Sequence, residues 1–460
     1  MNRAPKGIIE SIASYIRQDP VRMHMPGHKG HTGHEGQKGH ETGVAHSCLE
    51  EGAVSQVSDM LCHALDSAKI LDVTEVPGLD NLHYPNGAIE TMQSAMAEAF
   101  GTATTYCLVN GATCGILASL IALRMTVGPG TVIVPRNAHR SIISGLVLSG
   151  LDPFFVYPEY DGGLGGYLPL TASDIETQLK EACISGRLKP RQPGDLAEYI
   201  KGIVLVNPTY SGAYRNIAPI CRLADEAGVP VIADEAHGTL FYFSKNLPAS
   251  AIETGASLVI HGAHKTTQAF TQTGLLHVPA KCLDTFPALA RNVEEALRLV
   301  QSTSPSYILL ASLERAIESL KQDSTWVETM IQSARLIQCK LSSVRGIRVK
   351  IPGEDTGLQW DPGKILIDVS GLGISGPQAQ ALLWEKGKIV PEMVGPDYVL
   401  LMVTGADTLS SLEAVARVFQ EISDDYFGLH NAKEWLPVDS YPEISVCQGG
   451  PCSKPLRREP

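Results

Sequence analysis

The chain reads as an α/β protein, with a mainly parallel, doubly wound sheet followed by a smaller C-terminal α/β domain. Three observations lead there. Short β-branched apolar runs alternate with helical stretches across residues 100–280. Thr113, His139, Asn207, Asp234 and Lys265 all fall at or just after the carboxyl end of such a run, where ligands sit in sheets of this kind. From 345 to 430 the texture changes to shorter strands and helices of a second unit.

The 460 residues are 44% hydrophobic and 19% charged, enough for a large core and a second domain. Net charge is −12 and no basic block stands out, so nucleic acid is not expected as a partner. The ten cysteines are scattered, with no CxxC pair, and are expected as reduced thiols of a cytoplasmic protein. The first twenty residues carry Glu10 and Asp19 and no continuous apolar run, so no secretory leader is expected. The longest apolar run, near Gly115 to Met125, contains Arg124 and is too short to span a bilayer, so no membrane is expected either.

In chain order, Ile8, Ile9, Ile12 and Ile16 recur at helical spacing and predict a short helix over 7–18. His24 to Gly30 follows, a Pro-Gly turn that presents its histidines and Lys29. His31, His34, His40 and His46 punctuate a glycine-rich patch. Imidazole can bind metals, but no cysteine or carboxylate pattern accompanies these four, so we read a loop and no metal site. Residues 72–87, turn-rich and polar, predict a loop near the functional site. Ala88 to Phe100 is a helix and Thr105 to Val109 a strand, leading through Asn110 and Gly111 into an apolar helix whose free N–H groups, with the Thr113 hydroxyl, would bind a phosphate, the plain alternative being an ordinary capped helix start. Further strands are expected at 132–134, 154–157, 203–206, 229–233 and 257–260, with a glycine-rich loop at 161–166 and a crossover helix at 218–227. Residues 305–343 look helical. Strands at 347–351, 365–369 and 399–403 then alternate with helices near 376–387 and 408–424. The expected divisions are 1–70 (N-terminal helix and His/Gly-rich segment), 71–304 (large domain), 305–343 (connecting helices), 344–435 (small domain) and 436–460 (tail).

The chemistry concentrates between Val229 and Val278. One strand ends in Asp234, Glu235, Ala236 and His237, and the next in His261, Gly262, Ala263, His264 and Lys265. An acid and a lysine at two strand ends suit pyridoxal phosphate (PLP). The lysine can form a Schiff base with its aldehyde, and a buried carboxylate can keep its ring nitrogen protonated. A solvated lysine and a helix-capping aspartate are the plain alternative. His139 could stack on the ring, or simply bond to backbone.

Seven ordered stretches decide between them: residues 24–30, 72–87, 207–212, 234–238, 264–265 and 303–316, then Val390 to Glu392 together with Thr404 to Asp407. Together they resemble the ornithine/lysine/arginine decarboxylase family in its short form, PLP enzymes of the aspartate-aminotransferase fold (fold type I). The resemblance implies roles. Lys265 would carry the cofactor, Asp234 would pair with the ring nitrogen, and His139 would stack on the ring. His237 would lie beside the cofactor near the substrate carboxylate, with Ala236 next to it. Ala112, Thr113 and Cys114 would cradle the phosphate, helped by His264. Ser302 or Thr303 would reach the phosphate from the partner subunit of a homodimer or higher homo-oligomer. Glu392 would line the substrate pocket and pair with a cationic side chain. The implied reaction is decarboxylation of arginine, lysine or ornithine to agmatine or a diamine.

The chain departs from the family pattern in four places. Gly262 stands where a phosphate-binding serine is usual, Cys114 where a hydroxyl residue is common, and Asn81 where an aspartate is usual; residues 31–46 look inserted. These departures motivate a second expectation, a PLP enzyme with another outcome such as aminotransfer, elimination or oxygen-dependent oxidation. A regulatory homologue with a decayed site is a third, opposed by the retained Lys265 and Asp234.

Overall fold

The computed structural model describes residues 8–30, 54–162, 164–186, 188, 199–350 and 357–428. The His/Gly-rich patch at 31–46, the tail at 436–460 and Cys48, Cys447 and Cys452 lie outside the described residues.

Seven strands form the main sheet: β1 (Thr104–Leu108), β2 (Thr131–Pro135), β3 (Asp152–Val156), β4 (Ile200–Val206), β5 (Val231–Asp234), β6 (Leu258–His261) and β7 (Gly274–Val278). Their order is β1-β7-β6-β5-β4-β2-β3. The pairs within β6-β5-β4-β2-β3 are parallel, and β7 runs antiparallel to both of its neighbours, β6 and β1. The sheet is therefore mainly parallel, as the sequence predicts. Strand β7, which the sequence reading leaves unassigned, is the inverted one.

Strand alternation explains the double winding. Val204, Ile232, Leu258 and Ile260 face a core shared with helices α1 (Gly111–Val127), α2 (Arg140–Ser149) and α3 (Pro287–Val300). Ile203, Leu205, Val231, Ala233 and Val259 face a second core against the helices at 172–184 and 218–226. Gly115 lets α1 approach the sheet closely, since a Cβ there would lie 2.8 Å from Leu108 Cδ1.

Residues 305–343 resolve into α4 (Tyr307–Gln322) and α5 (Thr325–Ser342). The chain breaks between them because Asp323 takes an extended conformation and accepts from Thr325 N at 2.8 Å. Beyond them β8 (Arg348–Lys350), β9 (Lys364–Asp368), β10 (Met393–Val394) and β11 (Tyr398–Met402) form an antiparallel sheet in the order β8-β9-β11-β10. Helices α6 (Gly376–Gly387) and α7 (Leu409–Tyr426) accompany it, and each starts with a capping box, from Ser375 and Thr408.

The N-terminal segment joins this second unit. Val21–Met23 pairs in parallel with Ile389–Pro391. Lys29, expected to be presented from a turn, is instead buried. Its Nζ donates to the carbonyls of Arg22 at 2.5 Å and Met402 at 2.7 Å, and lies 3.4 Å from Asp407 Oδ2. Burial, helped by the Arg22 charge, pushes this lysine down from its usual pKa, and Asp407 opposes that shift.

Behind the strand ends runs a chain of buried polar groups. Glu235 Oε2 lies 2.7 Å from His261 Nε2, His261 Nδ1 lies 3.0 Å from His277 Nε2, and His277 Nδ1 lies 2.8 Å from Thr105 Oγ1. Glu235 also accepts from Ser250 Oγ at 2.7 Å and Ala251 N at 2.8 Å. All four members are fully buried, and the Phe100 ring packs on both imidazoles. Replacing His261 with leucine leaves Glu235 and His277 without that partner in a dry interior. Urea melts of His261→Leu are expected to show a loss of about 3 kcal/mol or more.

Candidate active site

A cleft of about 780 Å³ lies along the carboxyl ends of β1, β2, β4, β5 and β6. Eight residues predicted from the sequence line it: Ala112, Thr113, His139, Asp234, Ala236, His237, His264 and Lys265. Each arrives by its own strand end. Asp234 continues the face of Ile232, so it points to the same side of the sheet as the start of α1. Lys265 sits in the short helical turn Ala263–Thr266 that follows β6.

Asp234 is buried, and its Oδ1 accepts from Ala236 N at 3.2 Å. Burial pushes its carboxyl above the usual range, against the pull of the Lys265 charge. Burial likewise pushes Lys265 down, against Asp234 and Glu392. Lys265 Nζ lies 3.1 Å from His237 Nε2. The His237 imidazole is held well below its usual pKa, first by burial and then by the charges of Lys364 and Lys265.

At the start of α1 the N-cap residue Asn110 does not cap the helix with its side chain. Its Oδ1 accepts from Ser302 N at 3.1 Å instead. The first N–H groups of a 17-residue helix therefore face the cleft without a side-chain acceptor from the N-cap. His139 caps α2, taking Ser141 N at 3.2 Å on Nδ1. His264 Nδ1 lies 2.8 Å from the Thr273 carbonyl, which orients its ring.

Several expected residues lie elsewhere. Cys114 does not line the cleft. One residue past Thr113, the helix turns its side chain inward, where the thiol lies 3.1 Å from the Gly111 carbonyl and burial pushes it up to about 12. Asn207 bonds back to Arg215, donating to its carbonyl at 2.8 Å and accepting from its N–H at 3.1 Å. Ser302 and Thr303 are exposed outside this cleft, with Ser302 one hydrogen bond from Asn110. Residues 72–87 do not line it either. Leu82 to Asn86 border a different cleft, with Arg298, along the edge strand β1. Asp80 in that segment caps the helix at 88–99 by accepting from Gly87 N and Ile89 N, each at 2.8 Å. Glu392 sits just behind the wall, where its carboxylate accepts from Met25 N at 2.8 Å and from the Tyr210 hydroxyl. Met25 and Tyr210 do line the cleft.

The structure adds residues to which the sequence reading assigned no role. Tyr210 lies within the quoted 207–212 stretch and packs edge-on against His237 with ring centres 5.0 Å apart. Lys364 comes from the second unit. It is buried, with Nζ 3.4 Å from Met402 Sδ and 5.3 Å from the Tyr210 ring centre, and burial lowers its pKa to about 8. No local pattern marks Lys364, because one lysine opening a strand looks like any solvated lysine. Among the described residues no group of three or more potential metal ligands occurs, every cysteine is a free thiol, and no helix is long and apolar enough to cross a membrane.

Comparison with known proteins places this geometry. The profile for the major domain of Orn/Lys/Arg decarboxylases matches residues 7–352. The chain belongs to the Orn/Lys/Arg decarboxylase family. By that membership it is an enzyme, a decarboxylase of basic amino acids. The arginine decarboxylase of Halalkalibacterium halodurans is 30% identical over 439 residues, covering 94% of this chain and 80% of that one. The arginine decarboxylase of Bacillus cereus is 28% identical over 451 residues, covering 97% and 88%. Lysine decarboxylase A from Pseudomonas aeruginosa superposes with a TM-score of 0.66 at 20% identity, over 91% of this chain and 61% of that chain. The Francisella novicida lysine decarboxylase LdcF gives 0.62 at 20% identity, over 77% and 53%. This family member thus spans between about half and three fifths of those two solved chains. A structure of SPT with PLP gives 0.55 at 17% identity. The shared architecture is fold type I.

His237 and His277 are both buried and held well below the usual histidine pKa. As pH falls through about 6.5 the unfolded chain takes up protons at both positions and the native state does not. Stability is therefore lost towards acid, at up to about 1.4 kcal/mol per pH unit for each histidine. Urea melts between pH 7 and 5 are expected to show this slope, and His277→Gln to flatten it.

Proposed function

We propose that the cleft binds PLP and that the enzyme removes the α-carboxylate of a basic amino acid. Arginine is the first choice among arginine, lysine and ornithine, giving agmatine and CO2. The observation that carries this is the convergence of a half-buried lysine amine, a buried carboxylate and a helix start without a side-chain cap on one cleft. An aldehyde, a ring nitrogen and a phosphate need those three groups in that order. The curated relatives named arginine decarboxylase support the substrate choice.

When bound, PLP supplies an electron sink for the pair left behind by departing CO2. The protein residues divide the remaining work. Lys265 holds the cofactor by its amine, and its lowered pKa helps keep that amine reactive at neutral pH. Asp234, anchored by Ala236 N, would pair with the ring nitrogen and keep its proton in place. The N–H groups of Ala112 and Thr113 hold the phosphate, and Ser302 or Thr303 of the partner subunit reaches it across a homodimer interface. Gly262 contributes no hydroxyl there. A Cβ at that position would already lie 3.0 Å from Lys265 Cδ and 2.9 Å from the Ala236 carbonyl, so the glycine leaves room for the lysine chain. His139 would cover one face of the ring. His237 accepts a hydrogen bond from the Lys265 ammonium on Nε2 and so orients the donor of the returning proton. Glu392 presents a negative charge to the substrate side chain, held by Met25 N and Tyr210. We place the enzyme in the cytoplasm.

The first test is mass spectrometry of products from arginine, lysine and ornithine with PLP, under air and under argon. The same amine in both gases supports the reading; a keto acid, or an oxygen-dependent product, sinks it in favour of another PLP reaction. Lys265→Ala is expected to abolish turnover, and Asp234→Ala to lose most of it and to weaken PLP binding. Glu392→Gln is expected to raise KM about tenfold with little change in kcat. An unchanged KM removes Glu392 from the substrate site.

A further inference from the structure

His237 lies between two spaces. One is the catalytic cleft; the other is an internal cavity of about 10 Å³ as swept by the centre of a water-sized sphere. Thr266, Asp361, Gly363 and Met402 are among the residues around that cavity. His237 and Thr266 are each more than nine-tenths buried, and His237 Nδ1 and Thr266 Oγ1 meet no protein partner. Asp361, also buried, accepts from Gly363 N at 2.9 Å on Oδ1, and a carboxylate has lone pairs for further donors. Burial pushes this carboxyl upward, against the pull of Lys364.

Two unpartnered polar atoms on residues that line one cavity are costly if left dry. A cavity of this size takes about one water, which needs two to four polar partners. Its lining residues carry three: the unpartnered His237 nitrogen, the Thr266 hydroxyl and the Asp361 carboxyl group.

We propose that this cavity is a built water site, and that through its water Asp361 is a positioning residue for His237. The water accepts from His237 Nδ1–H and donates to Asp361 and to Thr266 Oγ1. The proton on His237 is thereby fixed on Nδ1, which leaves the Nε2 lone pair facing Lys265 Nζ at 3.1 Å. Whenever Lys265 Nζ carries the returning proton, the opposite tautomer would set two N–H groups against each other. Asp361 comes from the segment leading into β9, so the second unit sets the tautomer at a site built on the first. The inference rests on the reading of Lys265 as the catalytic lysine.

The test combines a crystal structure of the holoenzyme that shows ordered waters with kinetics of Asp361→Asn, Asp361→Leu and Thr266→Val. One water within about 3.2 Å of His237 Nδ1, Asp361 and Thr266 Oγ1 is expected. Asp361→Leu, which removes the acceptor, is expected to lower kcat by about tenfold or more with KM nearly unchanged. It is also expected to shift the pH at which the Lys265-bound cofactor changes its absorbance. Asp361→Asn keeps an acceptor oxygen and is expected to retain most of the turnover. A dry cavity in the wild-type crystal overturns the proposal. So does unchanged kcat in Asp361→Leu, or an equal loss in Asp361→Asn and Asp361→Leu that tracks lowered melting temperature. If Asp361→Leu does not fold, the wild-type crystal and Thr266→Val decide: a water on all three groups, with its density weakened in Thr266→Val, supports the proposal, and its absence overturns it. If the wild type decarboxylates no basic amino acid, the functional reading fails separately, while the crystal still judges the water site.

Discussion

Lys265 and Asp234 are both withdrawn from water at the ends of adjacent parallel strands, β6 and β5. Desolvation penalises each charge, and their mutual attraction only partly offsets it. Such a pair persists only where the surrounding fold holds it. That requirement accounts for much of the architecture around it: a sheet packed on both faces, a helix start turned towards the cleft, and a second sheet whose residues reach the rear of the site. The cofactor we propose would give both groups a partner of matching charge and geometry.

The rigidity comes from behind the strand ends. Alternation places Asp234 on the cleft side and Glu235 on the other, and His261 shares the side of Glu235. The Glu235–His261–His277–Thr105 chain ties β5, β6, β7 and β1 together just where the functional residues leave the sheet. Adjacent residues of one strand thus divide chemistry from scaffolding. A network of this kind holds geometry when every member is satisfied, and each bond within it has an ordinary length.

The remaining walls are brought from far along the chain. Glu392 accepts from Met25 N, Thr404 Oγ1 donates to the Gly27 carbonyl at 2.8 Å, and Gly27 N donates to the His264 carbonyl at 2.9 Å. The segment from 21 to 30 is therefore clamped between the lysine-bearing turn and the second sheet. Lys29, buried against Asp407, anchors that clamp. Charges that would be isolated on either unit alone are paired or close to one another only when both are present.

Strand periodicity, glycine turns and the polar residues that follow each apolar run are local properties. From them the sequence determined the α/β class and most element positions, and placed Thr113, His139, Asn207, Asp234 and Lys265 at strand ends along one edge. The family resemblance added Ala112, His237, Glu392 and the partner-subunit residues. Tertiary structure alone decided the inverted strand β7, the inward turn of Cys114, the burial of Lys29 and the arrival of Tyr210, Asp361 and Lys364 at the site. The reason is physical. Whether a lysine is solvated or buried, or a cysteine faces a ligand or a core, depends on what packs against it from elsewhere in the chain, and no periodicity encodes that neighbour.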